Sequence, residues 1–500
     1  MKQPGVVTVI NEQFFESETR KLFDDLEKDI LEMEDGTVKG KDGRLSWKLT
    51  RVGVYEFDGP TTDVEISSNN DQAVFTLEME DASIKTTFHW AASYDLWLTD
   101  IKISGQATAK LYEVDMTKSV ALGISDSGRL ELDSRDCHLD SCCSMEIGEM
   151  DISVYGGAVA WIIDKTIGWW ESEIKDMIKR EACSRIDDVI HSELNSALNA
   201  FPTTTNIVHE ELHFNYTLLH LDVVGECLVV GIDGGVTPAP GEETDNLLCN
   251  ATQSQGLLGV GGHTPLPASD CVSESYDFRT RISHSSIQSL VESVFHAGLL
   301  GSFSLDEETI QRMKVFQPGY FSRSEDELLQ HYLINAEVNI TRPPSASINT
   351  ELRCIDMEIP TELKLEMLHP NMSKEKKLLL VLNTTFTVGV QFQVAKDVAV
   401  DEEGRETSSI KLQGKMIRVQ TAVHNTTKNP DYEVEVKPSS VGTLINLIRA
   451  QLLQPRVYKH LENGIPTNFG DVFEVEVPNI KYFENYVEFE GIIEDWAVNM

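Results

Sequence analysis

The motif His209-Glu210-Glu211-Leu212-His213 is where this sequence comes nearest to catalysis. Two histidines four apart, with a glutamate beside the first, suit one zinc ion and a general base if a helix turns both imidazoles to one side. The flanks argue for another conformation. Phe201-Pro202-Thr203-Thr204-Thr205 precedes the motif, and the following Phe214-Asn215-Tyr216-Thr217 reads as strand. On a strand the two imidazoles stand about 13 Å apart, too far for one metal. His220 misses the third-ligand spacing of the longer zincin pattern by one residue. Cys137, His138, Cys142 and Cys143 fit no standard zinc spacing, and disulfides are the expected fate of these thiols. The glycines of 256–262 have no strand before them or helix after them to cradle a phosphate. No G-x-S-x-G elbow occurs. No catalytic residue, metal ligand or cofactor is assigned, and a zinc hydrolase is the remote alternative.

The elements suit apolar cargo better. Residues 11–33 form an amphipathic helix with Phe15, Leu22, Leu26 and Ile30 on one face and Asn11 as its N-cap. From about 45 to 155 the period changes to two, which predicts a meander of long antiparallel strands in a curved sheet. A long helix over about 158–200 carries Ile163, Ile167, Trp170, Ile174 and Met177 at helical spacing. Of the adjacent Trp169 and Trp170, the second shares that stripe. Cys143 and Cys183 bracket this stretch, and a disulfide between them would tie the sheet's end to the helix. More strands follow, then a Gly/Pro/Thr-rich linker. The order then repeats without sequence identity. A helix with Ile287, Leu290, Val291, Val294 and Phe295 on its face leads into strands, a long helix broken at Pro455, and closing strands. The expected units are 1–232, a linker at 233–272, and 273–500.

Composition narrows the partners. Acidic residues outnumber basic ones 81 to 42, for a net charge of −39, a field that repels nucleic acid and anionic surfaces and favours a soluble monomer. No run of 18 apolar residues spans a bilayer. Eight cysteines and six N-glycosylation acceptors, Asn215, Asn250, Asn339, Asn371, Asn383 and Asn425, favour a secreted chain. The first fifteen residues hold no apolar leader, so the chain is taken to start near a mature N-terminus. One basic run stands out: Lys39, Lys41, Arg44, Lys48 and Arg51, interrupted by Asp42. A second tip loop is expected around His89–Ser93, neutral apart from Lys85.

Several segments together resemble the family of bactericidal/permeability-increasing protein, lipopolysaccharide-binding protein and the plasma lipid-transfer proteins. They are Pro4-Gly5-Val6-Val7, Ile101-Lys102-Ile103-Ser104-Gly105, Leu453-Gln454-Pro455-Arg456-Val457 and Leu461-Glu462-Asn463-Gly464-Ile465-Pro466. The Cys143–Cys183 separation of 40 also looks like the family's shared disulfide. The resemblance implies an α+β fold of two elongated barrels of antiparallel strands with long amphipathic helices. A central sheet would join them into a boomerang with a pseudo-two-fold. Each barrel would hold a phospholipid-like amphiphile in an apolar pocket. Burying about a dozen methylenes at ~0.8 kcal/mol each yields roughly 10 kcal/mol, enough to extract a lipid.

The helix faces supply the pocket candidates: Phe15, Leu22, Ile163, Ile167 and Trp170 for the first, and Leu290, Val294, Leu444 and Ile448 for the second. The expected function is extracellular lipid binding and transfer without catalysis. Its partners would be a phospholipid or glycolipid and the membranes, micelles or lipoprotein surfaces that carry it. The alternative is an innate-immune receptor for lipopolysaccharide, with Lys39, Lys41, Arg44 and Lys48 touching the anionic head; the net charge opposes it. Pairing among Cys137, Cys142, Cys227, Cys249, Cys271 and Cys354 stays open.

Overall fold

Period-two alternation sets most of this chain as sheet. The fold is given by a computed structural model that describes residues 3–13, 15, 36–42, 44–59, 61–69, 72–96, 99–132, 143–155, 160–189, 203–207, 212–238, 271–272, 275–300, 303–304, 321–322, 333–369, 372–400, 406–428, 435–436, 442, 445–446, 449, 465–466 and 473–496. The first strands are β1 (Val6–Asn11), β2 (Gly36–Asp42), β3 (Leu45–Asp58), β4 (Thr61–Asn69), β5 (Gln72–Leu96), β6 (Thr99–Ile124), β7 (Leu130–Leu132), β8 (Cys143–Ile147) and β9 (Met150–Tyr155). Helix α1 (Ala160–Val189) follows, then β10 (Thr204–Ile207), β11 (Leu212–Asn215), β12 (Leu218–Val224), β13 (Cys227–Ile232) and β14 (Val236–Pro238). Next come β15 (Phe278–Ser283), α2 (His284–His296), β16 (Phe303–Ser304), β17 (Phe321–Ser322), β18 (Leu333–Ile340), β19 (Ser345–Asn349) and β20 (Cys354–His369). The last are β21 (Met372–Val400), β22 (Glu406–Lys428), β23 (Glu435–Val436), β24 (Ile465–Pro466), β25 (Phe473–Tyr482) and β26 (Tyr486–Trp496).

The expected meander is one sheet in the order β2-β3-β5-β6-β7, with β4 added on β5 and β8 and β9 on β6. Its inner face is apolar: Leu45, Trp47 and Leu49 on β3, Phe88, Trp90 and Ala92 on β5, and Ala107, Ala109 and Leu111 on β6 are all buried. Three neighbouring strands carry register shifts with a non-glycine residue in the left-handed region: Arg51 (φ 53°), Asp81 (φ 61°) and Glu113 (φ 50°). Such bulges bend strands and raise their twist. The backbone amide of Asp81 donates to Asp115 Oδ1 at 2.9 Å, which holds one of them. Helix α1 packs against β2 at one edge of the order and β8 and β9 at the other, so the bent sheet curls around it.

Helix α1 presents Trp170, Ile174, Ile178, Ala182 and Ile186 every four residues, and all are buried. Each large apolar side chain removed from water contributes about 2 kcal/mol. Lys175 on the flank donates to the carbonyls of Ile147 (3.3 Å) and Gly148 (2.8 Å) and pairs with Glu171. The Cys143–Cys183 disulfide joins β8 to this helix. A second disulfide, Cys227–Cys271, selects among the open connectivities. Cys354 is a buried free thiol, pushed up to about 11 by burial first and then by the charge of Asp356. Cys137, Cys142 and Cys249 lie outside the described residues.

The second large sheet runs β16-β18-β20-β21-β22-β24, with β19 on β20. Between the two lies a six-stranded sheet in the order β12-β13-β1-β15-β26-β25. Sequence reading assigned no strand to Val6–Asn11, yet β1 stands in the middle of this sheet, between strands from either side of the linker region. Gly5 permits its entry. The Gly5 amide donates to Ile232 O and Asp233 O at 3.0 Å, and a Cβ there would collide with Asp233 O and Ser286 Oγ. Residues 236–238, inside the expected linker, form β14, which pairs with β11. Helix α2, capped by Ser283, seats on β14 through serines: Ser289 and Ser293 Oγ donate to Val236 O at 3.0 and 2.7 Å. At the start of the chain, Gln13 N donates to Asn11 Oδ1 at 3.3 Å, as a cap requires.

The central sheet also carries a buried ion network. Arg279 and Arg281 Nε donate to Glu490 (3.1 Å) and Glu488 (2.8 Å), and Lys481 Nζ reaches Glu490 at 2.7 Å. Burial alone pushes Glu490 up. The hydrogen bond and charge of Lys481, with bonds from Asn479 and Arg279, outweigh it and hold Glu490 below its usual 4.5. Burial pulls Lys481 down, but Glu490 and Glu488 raise it above 10.5. The Glu490 contribution is therefore complete above pH 4.5 and lost as pH falls through the lowered value. The Lys481 contribution is complete below pH 10.5 and lost as pH rises through the raised one. Thermal melting against pH should show a plateau between these limits, and Glu490→Gln should flatten the acid limb; an unchanged acid limb refutes the assignment. Opening the 40-residue Cys143–Cys183 loop by Cys143→Ala/Cys183→Ala should cost about 4 kcal/mol in denaturant unfolding. A loss below about 1 kcal/mol would show that the helix is held without the disulfide.

Candidate functional site

The interior between α1 and the first large sheet is built around Trp170. Its ring lies 5.4 Å from Trp90 and 6.3 Å from Phe88, both on β5. Trp90 Nε1 donates to Gln106 O at 3.3 Å. Gly105 on β6 makes room, because a Cβ there would collide with Tyr155 O and press on Trp90. Trp170 itself is fully buried, and its Nε1–H has no hydrogen-bond partner among the described residues. An orphaned buried donor costs about 1–3 kcal/mol, a cost that a ligand carbonyl would remove.

Other pocket candidates fall unevenly. Ile167 is partly buried on the same core, and Phe15 meets Phe75 edge-on at 4.7 Å. Leu290 and Val294 pack with Leu212, Val236 and Phe214, so they face β11 and β14, not strands of the second large sheet. The Ile163 side chain, Leu22, Leu444 and Ile448 lie outside the described residues. Phe88 and Trp90 were not singled out from sequence; their alternation within β5 was the available signal.

The outer face of the same sheet is basic at one end. Register puts Lys39 directly opposite Lys48, Lys48 opposite Ala91, and Ala91 opposite Ser104. One row further, Lys41 faces Ser46, Ser46 faces Ser93, and Ser93 faces Lys102. Lys39, Lys41, Lys48 and Lys102 are exposed on one face, with Arg44 at the β2–β3 turn. A cleft of about 470 Å³ is lined by Lys39, Ser46, Trp47, Lys48, Ser93 and Lys102 among others. No ion pair engages these four lysines among the described residues, whereas Lys85 is bound to Glu56. Like charges directly opposite on a sheet repel, so an anion in the cleft relieves an existing strain.

This arrangement corrects the expected second tip loop. His89–Ser93 belong to the last third of β5, because their alternation continues the strand, and the chain turns only between Leu96 and Thr99. The fourth lysine, Lys102, comes from the next strand and was missed as part of the basic run. The only signal was its polar position in Ile101-Lys102-Ile103.

His213 lies on β11, paired with Asn206 and Thr237 in antiparallel register, while its neighbour Leu212 is fully buried. His209, Glu210 and Glu211 lie outside the described residues. Asn215 is half-buried, with its Oδ1 accepting from Thr217 N at 2.9 Å; Asn250 and Asn371 are not described. No helix among the described residues is long and apolar enough to cross a membrane.

No family model matches the chain. Among curated proteins, it is 22% identical over 270 residues to bactericidal permeability-increasing protein of Rattus norvegicus, covering 53% of this chain and 49% of that protein. It is 22% identical over 221 residues to lipopolysaccharide-binding protein of Mus musculus, covering 43% of each. The chain thus spans about half the length of the curated relatives it matches, or somewhat less. A crystal structure of lipopolysaccharide binding protein aligns over 99% of this chain and 100% of that one, with a TM-score of 0.61 at 16% identity. That likeness is one of fold. The chain is thus similar in sequence, over about half its length or less, to bactericidal permeability-increasing protein and lipopolysaccharide-binding protein, and similar in fold to the latter.

Proposed function

We propose that this chain is an extracellular, non-catalytic lipid-binding and lipid-transfer protein whose cargo is a phospholipid-like amphiphile. In this reading each half is an elongated barrel, the central sheet joins the two into a boomerang, and the first acyl slot lies between α1 and the bent sheet. The observation that carries it is the orphaned Trp170 Nε1–H, buried beside Phe88 and Trp90 in a largely apolar helix–sheet interior. An ester carbonyl at the neck of a glycerolipid accepts that hydrogen bond while its chains take the place of water along the stripe. Native mass spectrometry of the purified protein should find bound lipid. Uptake of labelled phosphatidylcholine should weaken roughly five-fold in Trp170→Phe, the worth of about 1 kcal/mol, without loss of thermal stability. No bound lipid and no uptake would sink the reading. Unchanged uptake in Trp170→Phe would return the tryptophan to plain packing.

A second reading, favoured by the opposed Lys39 and Lys48, is recognition of an anionic glycolipid head such as that of lipopolysaccharide, for which relatives are named. The net charge of −39 opposes approach, but a local row acts within about one Debye length of ~8 Å. Each lysine near an anionic surface contributes about 1 kcal/mol. Lys39→Ala/Lys48→Ala/Lys102→Ala should therefore weaken binding to lipopolysaccharide and to phosphatidylglycerol vesicles roughly 100-fold at low salt. Phosphatidylcholine uptake should be spared. Equal binding by variant and parent would remove the row from the function.

A further inference from the structure

Three of the six sequons stand in one row of the second large sheet. β18, β20, β21 and β22 are successive neighbours. Their registers put Asn339 opposite Glu362, Glu362 opposite Asn383, and Asn383 opposite Asn425. The adjacent Val338, Leu363 and Leu382 are buried, so by alternation the asparagine row points outward. Asn425 is exposed, and Asn339 and Asn383 are half-exposed. With neighbouring strands about 4.8 Å apart, the outer two asparagines lie within about 15 Å of each other. Each opens an Asn-x-Thr triplet: Asn339-Ile340-Thr341, Asn383-Thr384-Thr385 and Asn425-Thr426-Thr427. No other described residue bonds to any of the three side-chain amides, in contrast to Asn215, whose carbonyl oxygen is engaged by Thr217 N.

We propose that this row is a glycan-bearing face: N-linked oligosaccharides on Asn339 and on one or both of Asn383 and Asn425 cover the outer side of the second sheet. The co-reactant is a polyprenyl-diphosphate-linked oligosaccharide. The asparagine Nδ2 attacks the anomeric carbon, a C–N bond forms, the C–O bond to the diphosphate breaks, and the amide gives up one proton. Asn383 and Asn425 are directly opposed at about 5 Å. Two glycan stems there crowd each other, which is why one suffices for the pair. Sequence separation hides this arrangement; the registers of β20 and β21 create it. The inference rests on the extracellular reading above.

The test is site occupancy. The full chain is expressed in mammalian cells behind a secretory leader, treated with peptide-N-glycosidase in ¹⁸O water, and digested for mass spectrometry. Most secreted molecules should carry the ¹⁸O mark at Asn339 and at Asn383 or Asn425. Asn339→Gln should migrate one glycan lighter. Secreted, folded protein with an unmarked Asn339, or with both Asn383 and Asn425 unmarked, overturns the proposal. Because the leader imposes passage through the secretory pathway, that failure is separate from failure of the extracellular reading. The latter would show as protein from its own source carrying no glycan at any of the six sequons.

Discussion

Everything in the first half follows from one packing constraint. A thirty-residue helix with an apolar residue every fourth position must have that stripe covered along its length. A flat sheet touches a helix along one line only. The sheet here touches α1 at β2 and at β8 and β9 because bulges at Arg51, Asp81 and Glu113 bend three neighbouring strands. Non-glycine residues in the left-handed region cost about 1–2 kcal/mol each, and the burial along the helix outweighs them. The disulfide and the Lys175 bonds act on the same contact, fixing the helix to the β8–β9 corner. The interior so formed is largely apolar, with Trp170 Nε1–H and Thr86 Oγ1 buried in it without partners among the described residues.

The two large sheets are coupled through backbone, charge and apolar packing: Leu228 of the central sheet joins the core of the first, and Val487 and Phe489 pack with Ile355 of the second. β1 fills the centre of the middle sheet, where a glycine alone permits the chain to enter. Helix α2 lies on β14 through Ser289 and Ser293, small side chains that hydrogen-bond its backbone directly. Two arginines, a lysine and two nearly buried glutamates hold β15, β25 and β26 in register. Buried ion networks contribute less to net stability than to specifying one pairing, and removing one member leaves another charge stranded.

Charge placement matters more than charge total. The chain is strongly acidic, yet the end of the first sheet gathers four lysines with no described acid against them. Their charges add in one place because β2, β3 and β6 deliver them to the same face. The net charge of −39 sets the polarity against which this face stands out.

Much was legible without coordinates. The strand meander, the long helix with Trp170 on its apolar side, and strand conformation at His213 all followed from periodicity and turn residues, which are local properties. The central strand at Val6–Asn11 was not legible, because a short apolar run gives no clue to partners more than 200 residues away. Nor was the β14 strand inside a Gly/Pro-rich stretch, since its pairing with β11 outweighs its composition. The run of residues 39–51 shows the basic face one lysine short, and the strand pairing of His89–Ser93 is not marked locally, because cross-strand register belongs to no single segment. The sequence by itself determined element types, the apolar stripe and strand conformation at His213. Only the tertiary structure decided which lysines share a face, which asparagines form a row and which indole is left without a partner, because those are matters of register and packing between residues distant in the chain.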